Sequence, residues 1–161
     1  MRVKRFVVAD GCNLPFRDRT FDEIHAIHVL EHVPREGHLP FIQEIGRVLT
    51  DNGVAYIEVP DFPTAMIELG KAAEELRQTT LVQERRERLQ EFVRIRTVGV
   101  YGKGRHEGDW HHWGFSCWGL ESLFRNACLA YSRESQMISS HHRLEPVLLY
   151  RIWRDLDQSR S

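Results

Sequence analysis

Two short apolar runs flanking one amphipathic segment limit this chain more than any other feature of its sequence. Phe21, Ile24, Ala26, Ile27 and Val29 make the first run, and Val54 to Val59 (VAYIEV), ended by Pro60, the second. Between them Leu39, Ile42, Ile45, Val48 and Leu49 recur at helical spacing over 35–49. Asp51-Asn52-Gly53 then closes the segment with a glycine suited to a left-handed C-terminal position. Strands joined by a helix of this length lie parallel, which predicts a right-handed crossover with helices on the sheet faces. An earlier β-branched run, Val3 to Ala9, stops at Asp10-Gly11 and is expected to form another buried strand. The expected strands thus lie near 3–9, 22–28 and 53–59.

Downstream, 66–95 reads as a helical insertion whose charges, such as Glu84 and Arg88, fit a solvated face with i,i+4 pairs. A histidine- and tryptophan-rich loop follows over 99–115, and Ser116 is placed to cap a helix carrying Leu120, Leu123 and Phe124. Ala130 to Ile138 and Pro146 to Trp153 read as an antiparallel hairpin, spanning 130–153, that turns through Ser139-Ser140-His141-His142. The whole is expected to be a single α/β domain of 161 residues: three parallel strands with helices, then the hairpin.

Composition narrows the partners. With 22 basic against 23 acidic side chains the chain lacks the basic excess of a nucleic-acid binder. No apolar run reaches the length of a membrane span, and the N-terminus does not read as a signal peptide. Cys12, Cys117 and Cys128 are odd in number and follow no C-x-x-C spacing, so they are expected to be free thiols in a cytoplasmic protein.

Three blocks in order carry a more specific signal. Asp10-Gly11-Cys12-Asn13-Leu14-Pro15-Phe16 followed by Asp18, Phe21-Asp22 and Ile24 is the first. His28-Val29-Leu30-Glu31-His32-Val33 is the second, and Glu44-Ile45-x-Arg47-Val48-Leu49 with Gly53, closed by Val59-Pro60-Asp61, is the third. Together they resemble the D-x-x-x-LPF-x-D-x-x-FD, VLEH and E-x-x-RVL-x-x-x-G signatures of class I S-adenosylmethionine-dependent methyltransferases, of the type 11-like kind. Tyr101-Gly102 and His111-x-x-Gly114-Phe115 are similar to a YGG…H-x-x-GF segment of a methyltransferase branch often found with sugar or polysaccharide modification. The resemblance covers roughly residues 5–130.

It implies a Rossmann-like fold and transfer of a methyl group from S-adenosylmethionine to a small-molecule or glycan-type acceptor. Asp10, Gly11 and Cys12 would meet the adenine at the end of a strand, and His28 the methionine end. Glu31, Trp110 and Trp113 would face the acceptor, with His32, His111 and His112 as candidate general bases. No metal is expected. Glu31 and His32, joined by His111 or His112, are the set with suitable donors. The string His28-x-x-Glu31-His32 also matches the H-x-x-E-H of inverted zinc proteases, but the flanking blocks account for it as a strand-to-helix turn.

One departure stands out. The family holds its cofactor through a glycine-rich turn after its first strand and an acidic residue after its second. The sequence has no G-x-G-x-G run, and the expected fold is therefore truncated by two strands. The isolated chain is expected to bind the cofactor weakly or not at all. A homodimer or a complementing chain would complete the site, the alternatives being a gene fragment or a repositioned first strand. The alternative function is a non-catalytic methyltransferase-like module that self-associates or pairs with another protein.

Overall fold

A computed structural model describes residues 6–77, 82–101, 110–134 and 146–155. Strand β1 (Phe21–Ile27) leads through helix α1 (His38–Val48) into strand β2 (Leu49–Pro60), and the two strands pair in parallel. Helices α2 (Phe62–Leu76) and α3 (Gln83–Tyr101) follow. Helix α4 (Cys117–Asn126) then precedes strands β3 (Leu129–Glu134) and β4 (Val147–Arg154). The sheet order is β1-β2-β4-β3, because β4 inserts antiparallel between β2 and β3.

Several expectations need correction. Residues 6–9 of the strand expected near 3–9 are irregular and exposed, and residues 3–5 lie outside the described residues. Among the described residues two parallel strands are therefore seen, not three. A β-branched run becomes a strand only with a neighbour to share its hydrogen bonds, and Phe6 to Ala9 has none among the described residues. The helical region begins at Phe62 rather than 66, because the Asp61 side chain caps α2 by accepting from Thr64 N at 3.2 Å. It is broken in two, and residues 99–101 of the expected loop belong to α3, while 102–109 lie outside the described residues. The C-terminal pair runs antiparallel as expected, and the turn expected at 139–142 lies outside the described residues.

Gly53 is not a left-handed helix cap. The helix stops at Val48 and the chain goes extended at Leu49 (φ −68°, ψ 138°). Phe21 pairs with Leu49 and Glu23 with Val54, so 50–53 bulge from the ladder. Glycine is needed in that bulge because a Cβ would lie 2.9 Å from Phe21 O and 3.0 Å from Leu49 and Thr50 atoms.

The core forms on one sheet face. Ala55, Ile57 and Val59 of β2 alternate inward beside Leu148, Tyr150 and Ile152 of β4. Phe41, Ile42 and Ile45 of α1 and Leu120 and Phe124 of α4 cover them. Ser116 caps α4 as expected, its Oγ accepting from Gly119 N at 3.3 Å. The charged face of α3 carries exposed Glu84–Arg88 and Glu91–Arg94 pairs. No helix among the described residues is long and apolar enough to cross a membrane.

The loop before β1 is fixed by Arg47. Its Nε donates to Glu44 Oε1 at 2.7 Å, Nη1 to Phe16 O and Asp18 Oδ1 at 2.8 Å each, and Nη2 to Leu14 O at 3.0 Å and Glu44 Oε2 at 2.8 Å. Glu44 Oε2 also accepts from Leu14 N at 2.8 Å. Arg19 N and Thr20 N donate to Arg47 O and Val48 O, and Arg19 takes a left-handed φ of 55° to do so. The Arg47 hydrogen bonds hold the Glu44 carboxyl below its usual 4.5, while burial pushes the other way. Such a depressed carboxyl contributes stability above its unfolded pKa and loses it as pH falls through the folded one. Glu44→Gln is therefore expected to lower the urea midpoint at neutral pH, with the gap to the parent closing as pH falls to about 3. Urea unfolding across pH checks this, and a gap that persists undiminished in acid contradicts it.

Candidate functional site

The parallel strands β1 and β2 bring their C-terminal ends together, the edge at which open α/β sheets bind ligands. Just beyond β1, His28 takes a left-handed backbone (φ 52°) while its N–H donates to Glu58 O at 2.9 Å. For a side-chain-bearing residue that conformation costs about 1–2 kcal/mol. Compensation comes from two buried carboxylates: His28 Nδ1 lies 3.0 Å from Glu31 Oε1, and Nε2 lies 3.4 Å from Glu58 Oε1. Glu31 and Glu58 are 1% and 0% exposed. His28 thus faces carboxylates on both ring nitrogens, at the strand end where the methionine end of the cofactor is expected.

Glu58 is not among the residues that the sequence motifs single out. A glutamate inside VAYIEV departs from the apolar pattern of a buried strand, and buried carboxylates need partners. That departure is the signal that could have found it.

Glu31 and His32 sit in a 3-10 turn, Leu30–His32, that receives the 110–115 segment. His112 N donates to Glu31 O at 2.8 Å, and His32 Nδ1 donates to Trp110 O at 3.1 Å. Farther along, Phe115 forms a parallel bridge with Asp61 and accepts from Phe62 N at 3.1 Å. The segment therefore straps across the ends of both parallel strands. The His111 ring meets the His32 ring edge-on with centroids 4.8 Å apart. Trp113 lies under the Arg35 guanidinium at 4.8 Å, and both Trp110 and Trp113 stay exposed. The His112 residue is exposed, joined to Glu31 through its backbone.

His38 anchors the strap from α1. Its Nε2 donates to Val33 O at 2.9 Å, and its ring packs 4.9 Å from Phe115. Burial lowers its pKa, partly opposed by the Val33 hydrogen bond and reinforced by the Arg35 charge.

The Asp10 turn lies beside this array. Asp10 Oδ1 accepts from Cys12 N at 2.8 Å and Asn13 N donates to Asp10 O at 3.0 Å, which leaves an exposed carboxylate at a tight turn. Gly11 has no room for a side chain: a Cβ would sit 2.6 Å from the Phe41 ring. Cys12 Sγ reaches Gly37 O at 3.4 Å, and burial first, then the Asp10 charge, pushes the thiol pKa up. Gly37 in turn has Cys12 and Val33 on either side, which ties the Asp10 turn to the His32 turn. Asp10, Gly11 and Cys12 are thus grouped together, and Glu31, His32, Trp110 and His111 form a second, adjoining group. An open depression of about 430 Å³ at the other end of β2, lined by Asp51–Val54, Arg151 and Trp153–Asp155, contains none of them.

Comparison with known proteins bears on this arrangement. Residues 2–57 match the family model described as a methyltransferase domain. No curated protein matches the sequence. Among solved structures the chain is similar to the PH0226 protein of Pyrococcus horikoshii, at 18% identity and a TM-score of 0.51 over 93% of this chain and 59% of that one. It is similar to 1,6-didemethyltoxoflavin-N1-methyltransferase of Burkholderia thailandensis, solved with 1,6-didemethyltoxoflavin and S-adenosylhomocysteine (15% identity, TM-score 0.53, 94% of this chain and 51% of that one). It also resembles a Thermotoga maritima SAM-dependent methyltransferase described as a possible histamine N-methyltransferase (17%, 0.50, 91% and 62%). At these identities the likeness is one of fold, and the chain spans between half and two thirds of each relative's length.

Gly114 gives the strap a direct test. A Cβ there would lie 2.4 Å from the Phe62 ring, whereas at Gly70, on α2, nothing lies within 4 Å. Gly114→Ala is expected to cost about 1–3 kcal/mol by overpacking, and Gly70→Ala to stabilise by about 0.5–1 kcal/mol. Urea unfolding measures both, and equal effects would refute the close approach of the strap to α2.

Proposed function

We propose that this chain is a class I S-adenosylmethionine-dependent methyltransferase and serves methyl transfer to a planar small-molecule or glycan-type acceptor. The observation that carries the proposal is the 110–115 strap, hydrogen-bonded onto the Glu31–His32 turn beside the Asp10 turn. The exposed Asp10 carboxylate and the side-chain-free Gly11 suit the amino edge of an adenine, with Cys12 beside them. When bound, S-adenosylmethionine supplies an electrophilic methyl on a sulfonium.

Methyl transfer is an in-line displacement, so the chain's main task is to position the acceptor. Trp110 and Trp113 offer exposed aromatic faces for stacking, and Arg35 over Trp113 favours a polar or anionic substituent. His32 and His111 stand where a hydroxyl or amine proton would leave, and His112 is the more exposed alternative. His28 holds Glu31 and Glu58 in place.

A second copy or another chain completes the cofactor site in this reading. Its support is β1, which has β2 as its sole strand neighbour among the described residues and so leaves a row of backbone groups for a further strand. The same edge favours a second reading, a non-catalytic module that self-associates or pairs with another protein. A cytoplasmic location is proposed on the three free cysteines.

Isothermal titration with S-adenosylhomocysteine, paired with labelled methyl transfer to phenols, heteroaromatic amines and glycans, tests the proposal. Expected are a Kd on the order of 1 mM for the chain alone, further weakening in Asp10→Ala, and turnover of one acceptor class that falls at least about tenfold in Trp113→Ala. Low-micromolar binding indifferent to Asp10→Ala contradicts the cofactor assignment. Absence of both binding and transfer leaves the non-catalytic reading standing.

A further inference from the structure

We propose that Glu31, His32 and His111 bind one divalent first-row transition-metal ion, of which zinc is the representative. Each residue offers one ligand atom, and these atoms all lie within 4.8 Å of one another. Metal bonds of about 2.0–2.2 Å put two ligands of one ion at most about 4.4 Å apart, so small side-chain rotations suffice for coordination.

Two further observations point to a cation. Glu31 is 1% exposed, and its buried Oε2 has no hydrogen-bond partner among the described residues, although Oε1 lies 3.0 Å from His28 Nδ1. A buried carboxylate oxygen without a donor calls for a positive partner. The His32 tautomer is also set. Trp110 O can only accept, so the Nδ1 at 3.1 Å from it carries the proton and a neutral ring leaves Nε2 with its lone pair. Fixing a ligand imidazole through its other nitrogen on a backbone carbonyl is the usual outer-shell arrangement at metal sites.

One carboxylate with two imidazoles suits zinc, manganese, iron(II), cobalt or nickel, and disfavours calcium and magnesium, which prefer all-oxygen shells. Three protein ligands leave coordination positions open. An acceptor hydroxyl could enter one of them, where the ion would polarise it; with the ion bound, His32 and His111 act as ligands and the base role passes to the exposed His112, and the metal site stands independently of cofactor binding.

The test uses the metal-free chain without a histidine tag, titrated with Zn²⁺ by calorimetry and with Co²⁺ by visible absorption. Expected are one equivalent bound, a cobalt spectrum of low coordination number, and no displacement by excess Mg²⁺. His111→Ala, in the partly exposed strap, is expected to weaken binding more than about 100-fold. His25→Ala, on a ring exposed elsewhere and paired with Glu23, is expected to leave it unchanged. His32→Ala is a second test, with circular dichroism confirming that each variant is folded. Failure of the parent chain to bind Zn²⁺ overturns the proposal, as does binding that survives both His111→Ala and His32→Ala.

Discussion

A single guanidinium holds the loop on which the rest of this site depends. Arg47 places all five of its N–H donors, two on Glu44 and three on the backbone of Leu14 and Phe16 and the side chain of Asp18. The residues between the Asp10 turn and β1 have no ladder of their own, so their carbonyls need donors from elsewhere. Arg47 supplies them from the last turn of α1, and Glu44, one turn earlier, orients it. Because α1 also carries Phe41, whose ring excludes a side chain at Gly11, one helix fixes both the position and the shape of the Asp10 turn.

The chemistry gathers at the opposite side of the same helix. α1 begins at His38, whose ring meets Phe115 and Trp113 of the strap. The strap is then pinned at Glu31, Trp110 and Phe62 by backbone and side-chain hydrogen bonds. Left-handed His28 turns the chain sharply after β1, and its placement between Glu31 and Glu58 gives that turn a buried polar floor. Buried charge of this kind contributes little net stability but leaves few alternative arrangements once it is paired.

Much of this was legible in the sequence, and the misses have physical causes. The apolar period found α1 and both parallel strands to within a few residues, since amphipathic spacing reports directly on which face is buried. Residues 6–9 misled because β-branched composition reports propensity, whereas a strand exists only as a pairing. Gly53 looked like a helix cap, and its true reason, the crowding in a bulge between Phe21 and Leu49, is a contact between residues distant in sequence. Gly114 was read as part of a motif, and Phe62, which requires it, lies 52 positions earlier. At the site, Glu31, His32 and His111 stand out in the sequence blocks and come together in space. Glu58 lies hidden inside an apolar run, and its partner His28 sits on another strand end, so only the fold shows the pair.

The Asp10 turn, held by Arg47 and Phe41, is the proposed seat of the methyl donor. Ultraviolet cross-linking of radiolabelled S-adenosylmethionine to the full chain, followed by tryptic mapping, tests it most directly. Saturable label is expected in the peptide Phe6–Arg17, reduced in Arg47→Met. Label confined to the depression of Asp51–Val54, Arg151 and Trp153–Asp155, or no saturable label at all, would contradict it.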